Sequence, residues 1–116
     1  VLLLAALLTI CAPGPRDNCV VDGDTFWLSG EKIRLADIDA PEISQPQCPA
    51  EKALGERSKQ RLLALLNSGE IRLRRDGTDR YGRTLAVVVV EGRSVGAVLV
   101  DEGLARVWDG RRHPWC

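Results

Sequence analysis

From Cys19 to Ile38 the β-forming residues come only in short runs, each cut off by a tight turn, which restricts the chain to a sheet of short strands. Val20-Val21 and Thr25-Phe26-Trp27-Leu28 are separated by Asp22-Gly23-Asp24. Ser29-Gly30-Glu31 makes the next turn, and Lys32 to Ile38 alternates polar and apolar with period two. Ala40-Pro41 stops that strand, because proline has no N–H to give a ladder. Residues 43–49 read as a loop. Ala50 to Leu66 reads as a helix through Ala53, Leu54, Leu62, Leu65 and Leu66, closed by Asn67-Ser68-Gly69. A strand at Ile71–Arg74 and a polar loop at Arg75–Arg83 follow. Leu85–Val90, nearly continuous in apolar residues, predicts a strand buried on both faces. A short helix runs from the N-cap Ser94 to about Glu102, and Gly103 ends it. Strands grouped with two helices in 116 residues predict one α+β domain built on a small barrel.

The first ten residues, Val1 to Ile10, carry no charge and end abruptly near Pro13-Gly14-Pro15. That length fits the apolar core of a secretory signal better than a buried helix, the competing reading. Residues 1–18 are therefore read as a signal-peptide or membrane-anchor remnant with its linker, and 19–116 as the domain. The expected location is exported, periplasmic or secreted, or tethered to the membrane through the apolar segment. Four cysteines (Cys11, Cys19, Cys48, Cys116) agree with an oxidising compartment, and their spacing with the single His113 does not describe a zinc site. Pairing of Cys48 with Cys116 is expected, since it would tie the carboxyl end to a loop. If Cys11 leaves with a signal, one of the remaining three is unpaired.

Net charge is zero, with 16 basic and 16 acidic residues, so no general electrostatic footprint announces a polyanion or a membrane. Three Trp, one Tyr and one Phe leave no platform for stacking several bases. The balance hides a split: residues 1–51 carry 3 basic against 8 acidic side chains, and residues 52–116 carry 13 against 8.

Within the acidic half, Asp22, Asp24, Asp39 and Glu42 fall at strand ends or turns. Hard divalent cations take oxygen ligands, so two aspartates from neighbouring strands, a backbone carbonyl and water could hold Ca²⁺. Arg34, with Asp37 expected on the same strand face, and Arg83 could fork onto phosphate oxygens. Each residue has a plainer reading: an aspartate that merely makes a turn, or an arginine in a salt bridge across a strand pair.

Three stretches, Val21-Asp22-Gly23-Asp24-Thr25, Ile33 to Glu42 (IRLADIDAPE) and Asp79-Arg80-Tyr81-Gly82-Arg83, resemble the signature segments of the staphylococcal nuclease (thermonuclease) family. Val95 to Ala105 is similar to that family's following helix, and the resemblance covers residues 19–108 in the correct order. It implies a five-stranded OB-type β-barrel with two to three helices, and Ca²⁺-dependent hydrolysis of DNA and RNA; single-stranded or unpaired substrates and a monomeric protein are expected besides. By the same resemblance Asp24 and Asp39 are metal ligands with the carbonyl of Ala40, and Asp22 acts nearby through water. Glu42 is the general base, Arg34 and Arg83 bind phosphate, and Arg80 and Tyr81 contact a bound nucleotide's phosphate. Ala40 stands where the best-known member has Thr, which leaves the carbonyl in place. Trp108 and Asp109 replace an aromatic stretch beside the nucleotide base. The rival expectation is a non-catalytic OB-type nucleic-acid-binding module.

Overall fold

The computed structural model describes residues 7–116. The first six residues of the apolar run read as an export signal lie outside the described residues. The elements in chain order are β1 (Thr9–Ile10), β2 (Cys19–Asp22), β3 (Thr25–Leu28), β4 (Glu31–Leu35), β5 (Ile38–Asp39), α1 (Pro49–Leu66), β6 (Ile71–Thr78), β7 (Thr84–Val90), β8 (Arg93–Ser94), α2 (Val95–Asp101) and β9 (Arg106–Val107). The main sheet runs β1-β2-β3-β4-β7-β6, with β8 on β7, and β5 pairs separately with β9. The α+β class is as expected, with the OB-type core in β2, β3, β4, β7 and β6. Among the described residues hydrogen bonding does not return from β6 to β1, so the sheet stays open there.

β2, β3 and β4 are successive antiparallel strands, whereas β4 and β7 are parallel. Parallel neighbours need a long crossover, and α1 with β6 supplies it. The core lies between this sheet and the helices: Val20, Phe26, Ile33, Leu35, Ala86 and Val88 meet Leu62, Leu66, Val95 and Leu99. Among the described residues no helix is long and apolar enough to cross a membrane.

Three local expectations are corrected. The strand expected over 32–38 breaks after Leu35, because Ala36 N–H still donates to Ala86 O (2.9 Å) while Ile38–Asp39 turns to pair with β9. Asp37 does not share the face of Arg34, since side chains three apart on a strand already point to opposite faces, and its Oδ2 accepts from Ser94 Oγ (3.3 Å), the N-cap of α2. The loop expected from Arg75 shrinks, because β6 continues through an irregular register between Arg75 and Thr78, with Gly77 at φ 78°. Finally, β7 is buried on one face only. Ala86, Val88 and Val90 point inward, while the half-buried Val87 and Val89 lie opposite the exposed Arg74 and Arg72.

The sheet also begins upstream of position 19. β1 pairs in parallel with β2 (Thr9 opposite Cys19, Ile10 opposite Val20), and Leu8 is buried in the core. All four cysteines are paired, Cys11 with Cys19 and Cys48 with Cys116, so the expected Cys48–Cys116 bond is present and Cys19 is not left over. Asn67 closes α1 as expected and also holds the amino-terminal segment. Its Oδ1 accepts from Leu8 N–H (2.9 Å) and its Nδ2 donates to Leu8 O (3.0 Å). Asn67→Ala removes both bonds and is expected to cost about 1–2 kcal/mol, lowering Tm by several degrees. Thermal unfolding followed by circular dichroism measures this; an unchanged Tm would mean that the Leu8–Cys11 segment adds nothing to the fold.

Candidate active site

The first wall of the site is the turn between β2 and β3. Asp24 N–H donates to Asp22 Oδ1 (3.2 Å), a local bond that aspartate makes readily in turns. Gly23, between them, is required by a close approach: a Cβ there would sit 2.8 Å from Ser58 Cβ on α1 and 2.9 Å from Ala40 Cβ. The turn can therefore press against the helix only without a side chain. Asp24, buried at 8% exposure, is held rigidly, its Oδ1 accepting from Thr25 Oγ1 and its Oδ2 from Ala40 N–H, each at 3.0 Å.

The second wall is the segment leaving β4. Arg34 Nη1 donates to the carbonyls of Leu35 and Ile38, which fixes the turn between β4 and β5. Its Nη2 lies 3.6 Å from Asp24 Oδ2 and 3.7 Å from Asp39 Oδ1. Beyond it, α1 forms a mould for the loop carrying Glu42. The buried Glu51, in the first turn of α1, accepts Glu42 N–H (3.0 Å) and Gln47 N–H (2.7 Å). Gly55 lets the loop settle onto the helix, since a Cβ there would meet Pro41 O and Ile43 Cγ1 at 2.9 Å.

The third wall is the Asp79–Arg83 turn, organised by Asp79. Its Oδ1 accepts from the N–H groups of Tyr81 (2.9 Å) and Arg83 (3.0 Å), and its Oδ2 from Arg83 Nε (2.6 Å). Gly82 takes φ 78°, which an L side chain adopts only with strain. Burial works to raise the Asp79 pKa, but the bonds from Arg83 and Tyr81 outweigh it and hold the carboxyl below its usual range. The exposed Tyr81 ring lies under two guanidiniums, Arg80 at 4.9 Å and Arg83 at 5.3 Å from its centroid.

Asp22, Asp24, Arg34, Glu42, Tyr81 and Arg83 line one cleft of about 550 Å³. Asp39 lies in an adjoining cavity that shares Glu42, and Arg80 in another that shares Arg34, Tyr81 and Arg83. Ala40 is buried beneath, reached through Asp24. Lys32, Gln45 and Arg112 also line the main cleft and were not anticipated from the sequence. Glu51 had a legible signal, an acid in a first helical turn after Pro49. Arg112 had none, because its partner Glu42 lies 70 residues away in the chain.

Like charges crowd here. Burial first, then repulsion from Asp24, pushes the Asp22 carboxyl up to about 8. Asp39 is likewise raised by burial and by Asp24, against the pull of Arg112 and Arg34. Among the described residues no three acidic, histidine or cysteine side chains form a ready-made cation cage, and the Arg34 guanidinium reaches between Asp24 and Asp39. The donors nonetheless suit a hard divalent cation, being carboxylate and carbonyl oxygens throughout. Asp39 Oδ1, moreover, is buried with no hydrogen-bond partner among the described residues.

Two consequences can be measured. Gly23→Ala drives a methyl into Ser58 and Ala40 and is expected to cost about 1–3 kcal/mol in urea unfolding; a neutral result would mean that the turn can lift off the helix freely. Asp22, an acid raised in the folded state from 3.8 to about 8, stabilises the fold only while protonated. Its contribution is complete below pH 3.8 and lost as pH rises through about 8, so the cation-free protein weakens over that window. Asp22→Asn should flatten this slope and raise Tm at pH 9 by about 4 °C or more. An unchanged pH dependence in thermal scans would show that the carboxyl ionises without penalty.

Comparison with known proteins accords with this geometry. The chain is 36% identical to a Haemophilus influenzae protein named "Uncharacterized endonuclease", over 97% of this chain and 64% of that protein. It is 36% identical to a Shigella flexneri "Micrococcal nuclease" (74% of this chain, 53% of that protein). A Staphylococcus intermedius "Thermonuclease" is 35% identical (75% and 55%). The chain thus spans 53% to 64% of the length of these relatives. Residues 32–114 match the family described as staphylococcal nuclease homologue, and the chain belongs to that family.

Proposed function

We propose that the cleft hydrolyses phosphodiester bonds of DNA and RNA as a Ca²⁺-dependent nuclease. The observation that carries this reading is the meeting of Asp22, Asp24 and Glu42 with Arg34 and Arg83 in one cleft, on turns and loops fixed by hydrogen bonds. A phosphodiester is already anionic, and attack by water adds charge to the phosphorus centre. Preorganised donors aimed at that charge supply most of the rate. Arg34 and Arg83 would take the non-bridging oxygens, and Glu42 would accept the proton of the attacking water. Asp24, Asp39 and the Ala40 carbonyl would hold Ca²⁺, with Asp22 reaching it through water. When bound, the ion supplies Lewis-acid neutralisation of a phosphoryl oxygen. Arg80 and Tyr81, on the rim, would contact a flanking phosphate. An open cleft with one exposed tyrosine favours unpaired strands, handled by a monomer. The two disulfides suit an oxidising compartment, which supports an exported, periplasmic or secreted, protein.

The test is cleavage of denatured DNA and of RNA in Ca²⁺ and again in chelator. Cleavage is expected only with the ion. Arg34→Ala should lower the rate about 10²–10³-fold, and Glu42→Gln by about 10²–10⁴-fold, with Ca²⁺ still bound in calorimetry. Binding of DNA without cleavage would replace this reading with a non-catalytic nucleic-acid-binding module.

A further inference from the structure

The residues after β9 form a strap that lines the cavity adjoining the cleft, sends Arg112 into the cleft itself and is fixed at both ends. At its start Trp108 N–H donates to Asp37 O (2.9 Å). At its far end Cys116 is bonded to Cys48, the residue that precedes α1 and follows Gln47, itself held by Glu51. Arg106 braces the middle: its backbone pairs with Asp39, its Nη1 donates to Pro114 O (2.7 Å), and its guanidinium lies 3.9 Å from the Trp115 ring centroid. Between these anchors Gly110 takes φ 98° and Asp109 Oδ2 meets His113 Nε2 at 2.7 Å, so the strap folds into an arch. Arg112 projects from that arch, and its Nη1 donates to Glu42 Oε1 at 2.6 Å.

We propose that Arg112 is a positioning residue for Glu42, delivered to the cleft by a strap that the Cys48–Cys116 disulfide clips shut. The inference rests on the nuclease reading above, in which Glu42 is the base. The Arg112 side chain is 67% exposed, and ion pairs so exposed add little to stability. The strap is already anchored by Arg106, Trp108 and the disulfide, so this contact is not needed to hold it down. What the contact does fix is the direction of the Glu42 carboxylate. The backbone N–H of Glu42 is pinned by Glu51, but its side chain has no comparable support from its own loop. One oxygen is bound by Arg112, and the other would be free to accept the proton of the attacking water. The guanidinium touches neither water nor phosphorus in this role; it acts through Glu42.

The test compares Arg112→Ala, Arg112→Lys, the Cys48→Ser/Cys116→Ser pair and the triple variant on single-stranded DNA in Ca²⁺. Arg112→Ala should lower kcat about 10–100-fold, the scale of a misplaced catalytic group, with KM changed by less than about threefold. Arg112→Lys should recover part of the loss. Opening the disulfide should lower kcat comparably, and adding Arg112→Ala to it should lower kcat little further, as expected for residues acting as a unit. Unchanged or increased kcat in Arg112→Ala would overturn the proposal, and independent multiplicative losses would separate the disulfide from Arg112. A readout without turnover distinguishes this inference from the nuclease reading. The Arg112 Nε–Hε resonance should shift on Glu42→Gln and on opening the disulfide, even in a protein that cleaves nothing. A resonance indifferent to both changes would overturn the strap's role directly.

Discussion

The site depends on one surface: the face of α1 that carries Glu51, Gly55 and Ser58. These residues are buried, yet none is a large hydrophobe. Their smallness lets two loops approach the helix closely, Gly23 against Ser58 and Pro41 to Ile43 against Gly55. Glu51 supplies what an apolar side chain could not, accepting two N–H groups of the loop that carries Glu42. The carboxylates thus rest on a rigid helix although they sit in turns, where backbone would otherwise wander. The remaining half of the same helix, with Leu62 and Leu66, does the ordinary work of filling the core.

Charge is the second organising constraint. Arg34 is almost buried between Asp24 and Asp39, and its other guanidinium nitrogen is satisfied by two carbonyls. A buried arginine is tolerable only when paired and hydrogen-bonded in this way. Burial first, and then the repulsion of neighbouring acids, raises Asp22 and Asp39, and among the described residues Asp39 Oδ1 is buried without a hydrogen-bond partner. The arrangement is poor as a stability device and suitable as a receptor for positive charge, a trade often found where a fold keeps a reactive centre.

Much of this was legible in the chain because the signals were local. Asp22-Gly23-Asp24 and Asp79 to Arg83 make their turns through side-chain bonds to their own backbone, so their geometry is written within five residues. What escaped reading was non-local. Period-two alternation continues through Asp37, but pairing of Ile38 with Val107 turns the chain out of the sheet there. Six apolar residues in β7 look buried on both sides, although whether a layer covers the second face is decided elsewhere in the chain. The buried stripe of α1 begins with Glu, Gly and Ser, which hydrophobic spacing overlooks. Likewise the Cys11–Cys19 bond follows from a parallel strand pairing that no turn announces.

The two borders of the main sheet are finished differently. One ends in the two-residue β1, tied down by Asn67 and a disulfide. The other is β6, an eight-residue strand whose backbone groups on one side have no neighbouring strand among the described residues. Such a border invites another chain to dock in register and so begin a fibril. Here Arg72 and Arg74 stud it and an irregular register bends its end, so two copies meeting border to border would bring like charges together on mismatched backbones. The arginines of β6 thereby discourage edge-to-edge pairing of two copies, independently of anything that happens in the cleft.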